Sequence, residues 1–368
     1  MSHWRRLCLQ WRFTLCLTAD SIDVKAYRAG IATGEGGKAM TDLIIRKIGW
    51  EFDASVPFLW QPANPNFSNF CNAFTFIAVP FEKYIISAVR KAQHAFDKDP
   101  AVAEEAEAFL RQEAQHAAAH RKHMLALVER YPALEKCYED AVNAYDDLIE
   151  QYPAEFHWAY IANLEATFTP LFKLVLDNRD ALLGNGDQRV ASLMMWHFVE
   201  EIEHRSSGLM LYRHLRADPW YRVKHIKSTF KHVGELSAMI AKTFDEVVPF
   251  EERGASAEEL MSIKLLIGEF QYRGPGGARR RAKHDGGTPT LFNAVQTREL
   301  AAMVWRLLLS QAPYHDPADQ PLPSSAATWM REYDRGTDMK TYFGRPLPGA
   351  SEATGRKSDV PPSARSEH

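Results

Sequence analysis

The amino-acid sequence predicts an all-α protein: a four-helix bundle with additional helices and an extended N-terminal arm. Long stretches of helical character begin and end at residues that start or stop helices. Two of these stretches carry the same pattern near their middle, Glu113-Ala-Gln-His116 and Glu201-Ile-Glu-His204. Two further stretches each carry one glutamate, Glu82 or Glu165, inside an apolar run. Four helices that each bring an acid to one interior predict a bundle around a polar centre.

The Glu-x-x-His pattern is typical of metal-binding helices. A glutamate and a histidine three positions apart lie on one face of a helix, close enough to bind one metal ion or to bridge to a second. Of the 14 histidines in the chain, only His116 and His204 have a glutamate three residues before them. One such pair is expected by accident in a chain of this size, so the repetition carries the prediction.

Glu82 and Glu165 are candidate partners for the two pairs. An unpaired buried carboxylate costs several kcal/mol, so a glutamate in an apolar run normally has a cation, a shared proton or a metal ion beside it. Taken alone, each is better explained as an edge residue that faces water. Their positions change that interpretation, because 31 residues separate Glu82 from Glu113 and 36 separate Glu165 from Glu201. Each spacing fits one antiparallel helical hairpin.

The region before the bundle has a different texture. Residues 1–39 are predicted to be disordered or outside the fold, because the apolar run from Leu7 to Leu17 is interrupted by Arg12 and makes a poor signal peptide. Translation from Met40 explains them equally well. From there to Asn69, prolines and aromatic residues are frequent, which predicts the extended arm.

The predicted helices follow the arm in order. Asp99-Pro100 and Asp187 are helix-start signals, whereas Pro80 and Pro170 predict kinks inside helices, although a new helix could also begin at Pro80. The predicted bounds are Ser68 or Asn69 to Phe96, Pro100 to Tyr131, Ala133 to Gln151, Pro153 to Asn178, Asp187 to Leu215, Trp220 to Val248, Ala257 to Phe270 and Thr297 to Ser310.

The pattern divides the chain into a helical di-metal domain at 40–273, a flexible basic linker at 274–287, a C-terminal helix with an extended segment at 288–350, and a disordered tail at 351–368. The basic run of the linker could grip a phosphate. Glycines on both sides favour a solvated, flexible segment instead.

Composition excludes several classes of function. Hydrophobic residues make up 46% of the 368, which is ample for a core. A net charge of −3 gives no broad electrostatic reason to bind nucleic acid or an anionic membrane. No apolar stretch is long enough to predict a membrane span. The 4 cysteines show no Cys-x-x-Cys spacing, so a reduced cytoplasm is the predicted location.

The order of the candidate ligands resembles that of the ferritin-like di-iron carboxylate superfamily. More narrowly, the chain from about Ile45 to Arg273 resembles a bacterial family labelled "predicted metal-dependent hydrolase". The matching pieces are Trp60–Pro65, Pro80–Tyr84, Gln112–His116 with His120 after it, and Glu200–His204. The superfamily resemblance implies two metal ions, bridged by two of the glutamates, and six ligands: Glu82, Glu113, His116, Glu165, Glu201 and His204.

Two further histidines lie close to the first pair in sequence. His120 is a candidate seventh ligand, as in N-oxygenating relatives of that superfamily, or a donor that orients a carboxylate. A surface histidine on a polar helix edge is an equal alternative. His123 is predicted to face solvent or to cap the bundle.

The second pair has acidic neighbours as well. Glu200 and Glu203 are expected to pair with Arg205 or to support the ligands from behind. A shift of register by one residue would make Glu200 the ligand in place of Glu201, but the offset to His204 favours Glu201.

Three functions follow from this pattern. An O2-activating di-iron oxidase or oxygenase is placed first, because carboxylate-rich ligation suits iron, with manganese or zinc as alternatives. A hydrolase that uses a metal-activated water is second, and a non-enzymatic metal-binding protein is third. A small-molecule substrate is the expected partner, with an electron donor and a homodimer left open.

Overall fold

The computed structural model describes residues 43–258, 269–273, 276–277 and 290–345. Within these residues the protein is all-α and contains no strand, which confirms the predicted fold class. Two short 3-10 turns, Pro317–Asp319 and Met339–Thr341, accompany the α-helices. The helices are α1 Pro65–Phe96, α2 Pro100–Arg130, α3 Leu134–Gln151, α4 Ala154–Asp177, α5 Arg179–Leu182, α6 Gln188–Glu203, α7 Ser207–Leu215, α8 Pro219–Val247, α9 Phe250–Arg253, α10 Thr297–Ser310 and α11 Ser324–Asp334.

Three helix starts, those of α2, α6 and α8, are set by an aspartate whose side chain accepts a hydrogen bond from a backbone amide of the first turn. Asp99 accepts a hydrogen bond from the amide of Ala101 at the start of α2, and Asp187 caps α6 in the same way. Helix α1 begins earlier than predicted, at Pro65, because the side chain of Asn64 caps it. A proline costs nothing at that first position, where the amide has no helical partner. Helix α1 runs unbroken through Pro80, so no new helix begins there.

The helix predicted from Asp187 to Leu215 is two helices. Helix α6 ends at Glu203 and α7 begins at Ser207, with His204 between them at φ −91° and ψ 12°. Serine and glycine at 206–208 have weak helix propensity, so a break costs little there. The break places His204 at the C-terminal end of α6.

Gly208 has a packing role beside that break. A Cβ added to Gly208 would lie 3.0 Å from Cγ of Glu165. The absence of a side chain therefore allows α7 to pack closely against α4 at a candidate ligand.

The four helices that carry the candidate ligands pack around one interior. Helices α1 and α2 form an antiparallel hairpin, and α4 contacts α1, α6, α7, α8, α10 and α11. The arm at 43–64 has no helix and buries Trp50, Phe58 and Trp60 against the bundle, as predicted for an extended segment. The extended segment predicted after the C-terminal helix contains α11, whose Trp329 is fully buried.

Some predictions lie outside the described residues. These are the N-terminal region at 1–39, most of the helix predicted from Ala257 to Phe270, nearly all of the linker at 274–287, and the tail at 351–368. Among the helices in the described ranges, none has the length and apolar character needed to cross a bilayer.

Candidate metal centre

Four helices deliver the six predicted ligands to one buried spot. Helix α1 carries Glu82, α2 carries Glu113 and His116, and α4 carries Glu165. Helix α6 supplies the remaining two, Glu201 within it and His204 at its C-cap. All six are at most 2% exposed: Glu82, Glu113, His116, Glu165, Glu201 and His204. The structure therefore brings together every residue of the predicted set, while metal binding itself stays a prediction.

Glu113 and Glu201 lie between the two histidines. Nε2 of His204 is 3.3 Å from Oε1 of Glu113, 3.2 Å from Oε2 of Glu201 and 3.6 Å from Oε2 of Glu165. Nδ1 of His116 is 3.7 Å from Oε2 of Glu113 and 3.5 Å from Oε1 of Glu201. Each of the two acids thus offers one oxygen to either side, which is the arrangement of a bridging carboxylate.

His197 joins the cluster, although the sequence pattern did not assign it a ligand role. Its Nδ1 lies 3.8 Å from Oε1 of Glu82, and its Nε2 lies 3.0 Å from Oε1 of Glu201. Glu82, His116 and His197 form one of three groups whose ligand atoms all lie within 4.8 Å of one another. The available signal was the spacing of four residues to Glu201, which puts both side chains on one helix face. We call these seven residues, the six predicted ligands and His197, the Glu/His cluster.

The cluster leaves several buried polar atoms without a hydrogen-bond partner in the described part of the chain. Such atoms are costly, because burial removes water and nothing replaces it. Mixed carboxylate and imidazole donors suit iron, manganese or zinc, so these residues fit the two metal ions that the pattern predicts. The unpartnered atoms are Oε2 of Glu82, Oε1 of Glu113, Nδ1 of His116, both carboxylate oxygens of Glu165, Nδ1 of His197, Oε2 of Glu201 and Nε2 of His204.

The outer nitrogen of each predicted histidine ligand is held in place. Nε2 of His116 lies 3.0 Å from Oε2 of Glu200, and Nδ1 of His204 donates to Oε1 of Gln112 at 3.0 Å. Because these contacts occupy one nitrogen of each ring, Nδ1 of His116 and Nε2 of His204 face the cluster. Sequence reasoning missed this role of Gln112, although it stands directly before Glu113.

Arg46 of the N-terminal arm supports both histidines from behind. Its guanidinium donates to Oε1 of Glu200 at 3.0 Å and to both oxygens of Glu203 at 2.9 Å. Gln112 donates to Oε2 of Glu203 at 2.6 Å, so Arg46 reaches His204 as well as His116 through its partners. Nothing in the local sequence of Arg46 signals this role.

The expected pairing of Glu200 and Glu203 with Arg205 is wrong. Arg205 donates to the backbone carbonyl of Ile202 instead. Both carboxylate oxygens of Glu200 are taken, one by Arg46 and one by His116, and Glu201 is the acid that faces the cluster. The geometry fits the alternative prediction, in which Glu200 and Glu203 support the candidate ligands from behind.

His120 and His123 are both fully buried, so a surface position for either residue is wrong. The hydroxyl of Thr75 lies 3.0 Å from Nδ1 of His120 and 3.2 Å from Nδ1 of His123, and the ring of Phe52 covers His123. Burial lowers the pKa of His120 well below its usual range and that of His123 to about 4. His120 packs edge-on against His197, behind the groups whose ligand atoms converge.

Burial and mutual repulsion set the ionisation of the cluster acids. Burial raises the pKa of Glu82, Glu113 and Glu165 above the usual range of a glutamate. Glu201 differs: burial raises its pKa, but His204 and the neighbouring His197 together outweigh that effect and lower it. One acid of the cluster is therefore held charged by histidines, while the other three favour protons unless a cation replaces them.

An apolar cavity of about 160 Å³ opens directly onto the cluster. Its walls come from α1, α4 and α8, and its floor is formed by four members of the Glu/His cluster. The described lining residues are Phe70, Phe74, Ile77, Ala78, Phe81, Glu82, Glu113, Leu164, Phe168, Leu171, His197, Glu201, Val233 and Ser237.

Comparison with known proteins adds one finding. A family model described as "predicted metal-dependent hydrolase" matches residues 45–254, more than half of the chain, and that range contains all seven residues of the Glu/His cluster. No curated protein and no solved structure matches the chain.

Proposed function

The chain belongs to the predicted metal-dependent hydrolase family, and from this membership and the geometry of the Glu/His cluster we propose that it is a di-metal carboxylate enzyme. The observation that carries the proposal is the set of unpartnered carboxylate oxygens and imidazole nitrogens that face one another in the buried cluster. The order of ligands along four helices further supports a ferritin-like bundle.

In this proposal the six predicted ligands, Glu113 and Glu201 among them, would hold the two metal ions. Glu82 and His197 stand at the floor of the apolar cavity, where a substrate would meet the centre. Bound iron would supply electrons to O2, whereas bound zinc or manganese would lower the pKa of a coordinated water. Arg46 and Gln112 keep the histidine nitrogens aimed at the centre.

We favour oxidation of a small organic molecule with O2. The apolar cavity supports this choice, because the hydroxyl of Ser237 is the one hydrogen-bond donor among its described wall residues above the cluster. A polar ester or phosphoester would lose its hydration against these walls and gain few hydrogen bonds in return. Hydroxylation of a C–H bond would consume one O2, two electrons from an external donor and two protons, and would release one water.

Hydrolysis with a metal-activated water is the second candidate, and the family description favours it. The two reactions are distinguished by loading the protein with different metals. Anaerobic loading with Fe(II), followed by O2, is expected to consume O2 and to convert the Mössbauer signal from ferrous to ferric.

Inert ferrous protein would overturn the oxidative proposal. Turnover of esters or phosphoesters by the zinc or manganese form would then establish the hydrolase. Tight metal binding with neither activity would reduce the proposal to metal binding alone.

Metal binding is also expected to release protons and to strengthen as the pH rises. The pKa of Glu82, Glu113 and Glu165 is raised by burial, so protons occupy these acids and must leave when a cation enters. A lower pH refills them and weakens binding. Zinc titrations in weakly buffered solution, at about pH 6 and about pH 8, measure both effects. An affinity that is the same at both values, with no proton release, would contradict the described ionisation.

A further inference from the structure

The walls of the apolar cavity define the kind of molecule that it accepts. Phe74, Phe81 and Phe168 line it, and Val233 and Ser237 add two lining residues from α8. None of the described lining residues is a lysine or an arginine. A charged or strongly polar ligand would therefore lose its hydration and find only the hydroxyl of Ser237 as a polar partner on the described walls.

The size of the cavity sets a second limit. Its volume of about 160 Å³ is close to the roughly 150 Å³ of an engineered apolar cavity that binds benzene or xenon. Phe70, Phe74 and Ile77 are partly exposed although they lie along the cavity, so their apolar surface is available to a ligand. Covering that surface supplies the binding free energy.

We propose that the cavity is the substrate subsite and that it takes a neutral, apolar molecule about the size of benzene or toluene. That the ligand is a substrate rests on the proposed di-metal function, whereas its binding to the cavity needs no metal. A ligand in this cavity touches the floor formed by Glu82, Glu113, His197 and Glu201, and so lies beside the proposed metal centre. Helix α8, through Val233, then limits the size of the substrate.

The test measures binding of benzene and of toluene to the metal-free protein. Ligand-observed NMR and the shift in melting temperature report the binding. Benzene and toluene are both expected to bind and to raise the melting temperature. Benzoate, which is charged, is expected not to bind and to leave the melting temperature unchanged. Val233→Phe fills the cavity from α8 and is expected to weaken toluene binding at least tenfold. Val247→Phe is the matched control, since it makes the same change in a partly buried valine of α8 that does not line the cavity.

A second variant that gains a ligand shows whether loss of binding in Val233→Phe comes from a filled cavity or from misfolding. Phe168→Ala enlarges the cavity, so this variant is expected to bind naphthalene and the unaltered protein is not. Absence of benzene and toluene binding, or toluene binding that Val233→Phe leaves unchanged, would overturn the inference. Metal content is measured separately. A protein that binds toluene but no metal would contradict the di-metal proposal and leave the cavity inference standing.

Discussion

Replacing Glu113 by alanine is expected to abolish metal binding while leaving the protein helical. Glu113 lies between His116 and His204, so it contributes to both proposed ions, and its loss opens both sites at once. His204→Ala is expected to have the same effect, because three cluster acids converge on its Nε2. Metal retained per chain after loading and desalting, with circular dichroism for helix content, measures both outcomes.

Glu107→Ala is the matched control for Glu113→Ala. Glu107 lies on the same helix, is exposed and pairs with Arg111 at the surface. It is expected to keep full metal content. Full occupancy in Glu113→Ala and His204→Ala would show that the cluster is not the metal centre.

Replacing Arg46 by methionine is expected to destabilise the protein and to weaken metal binding together. Arg46 is 1% exposed, and its removal leaves Glu203 without a cation and Glu200 with His116 alone. Removing one partner of a buried ion pair costs about 3–5 kcal/mol. Loss of the contacts that orient metal ligands lowers metal affinity by about 10–100-fold. Urea unfolding of the metal-free protein and competition titration with a chelator measure the two effects.

A positioning role is distinguished from a structural one by two comparisons. Phe244 packs on Phe58 and Phe76 and is not a member of the Glu/His cluster. Phe244→Ala is expected to cost about 3–5 kcal/mol of stability and to keep its metal affinity. Arg46→Lys keeps the charge but loses the two-pronged contact, so it is expected to recover part of the affinity. Arg205→Met removes a guanidinium that pairs with neither Glu200 nor Glu203, so it is expected to keep the metal affinity. Equal affinity in Arg46→Met and the unaltered protein would refute the positioning role.

Arg46 also connects the cluster to a part of the chain outside the family match. Its guanidinium lies 5.8 Å from the ring centre of Trp329 and 5.6 Å from that of Tyr333, both on α11. The match ends at residue 254. Helix α11 therefore covers Arg46, which holds the acids behind both histidines. It shields the ion pairs of Arg46 with Glu200 and Glu203 from water.

Local signals predicted the helices well because helix boundaries depend on nearby residues. Asp99-Pro100 marked the start of α2, and the predicted bounds of α10 agree with the observed Thr297–Ser310. The predicted start of α1 was wrong. Asn64 rather than Ser68 caps α1, since the hydroxyl of Ser68 is used by the amide of Gln61.

The environment of the cluster was predictable only in part. His123 stands beside Arg121 and Lys122 and looks exposed in sequence, but Phe52 of the arm packs over it. Arg46 is separated from its partner Glu200 by 154 residues, so no local pattern could pair them. The break after Glu203, by contrast, had a weak signal in the serines and glycine that follow it.

The sequence by itself determined that the chain forms helices and that six candidate metal ligands recur at positions fitted to two hairpins. Helical periodicity and capping act over a few residues, and they can be read without knowing the fold. Only the tertiary structure decided which nitrogen of each histidine faces the cluster, which arginine neutralises the acids behind it, and how large a molecule fits beside it. Those properties depend on contacts between segments far apart in the chain.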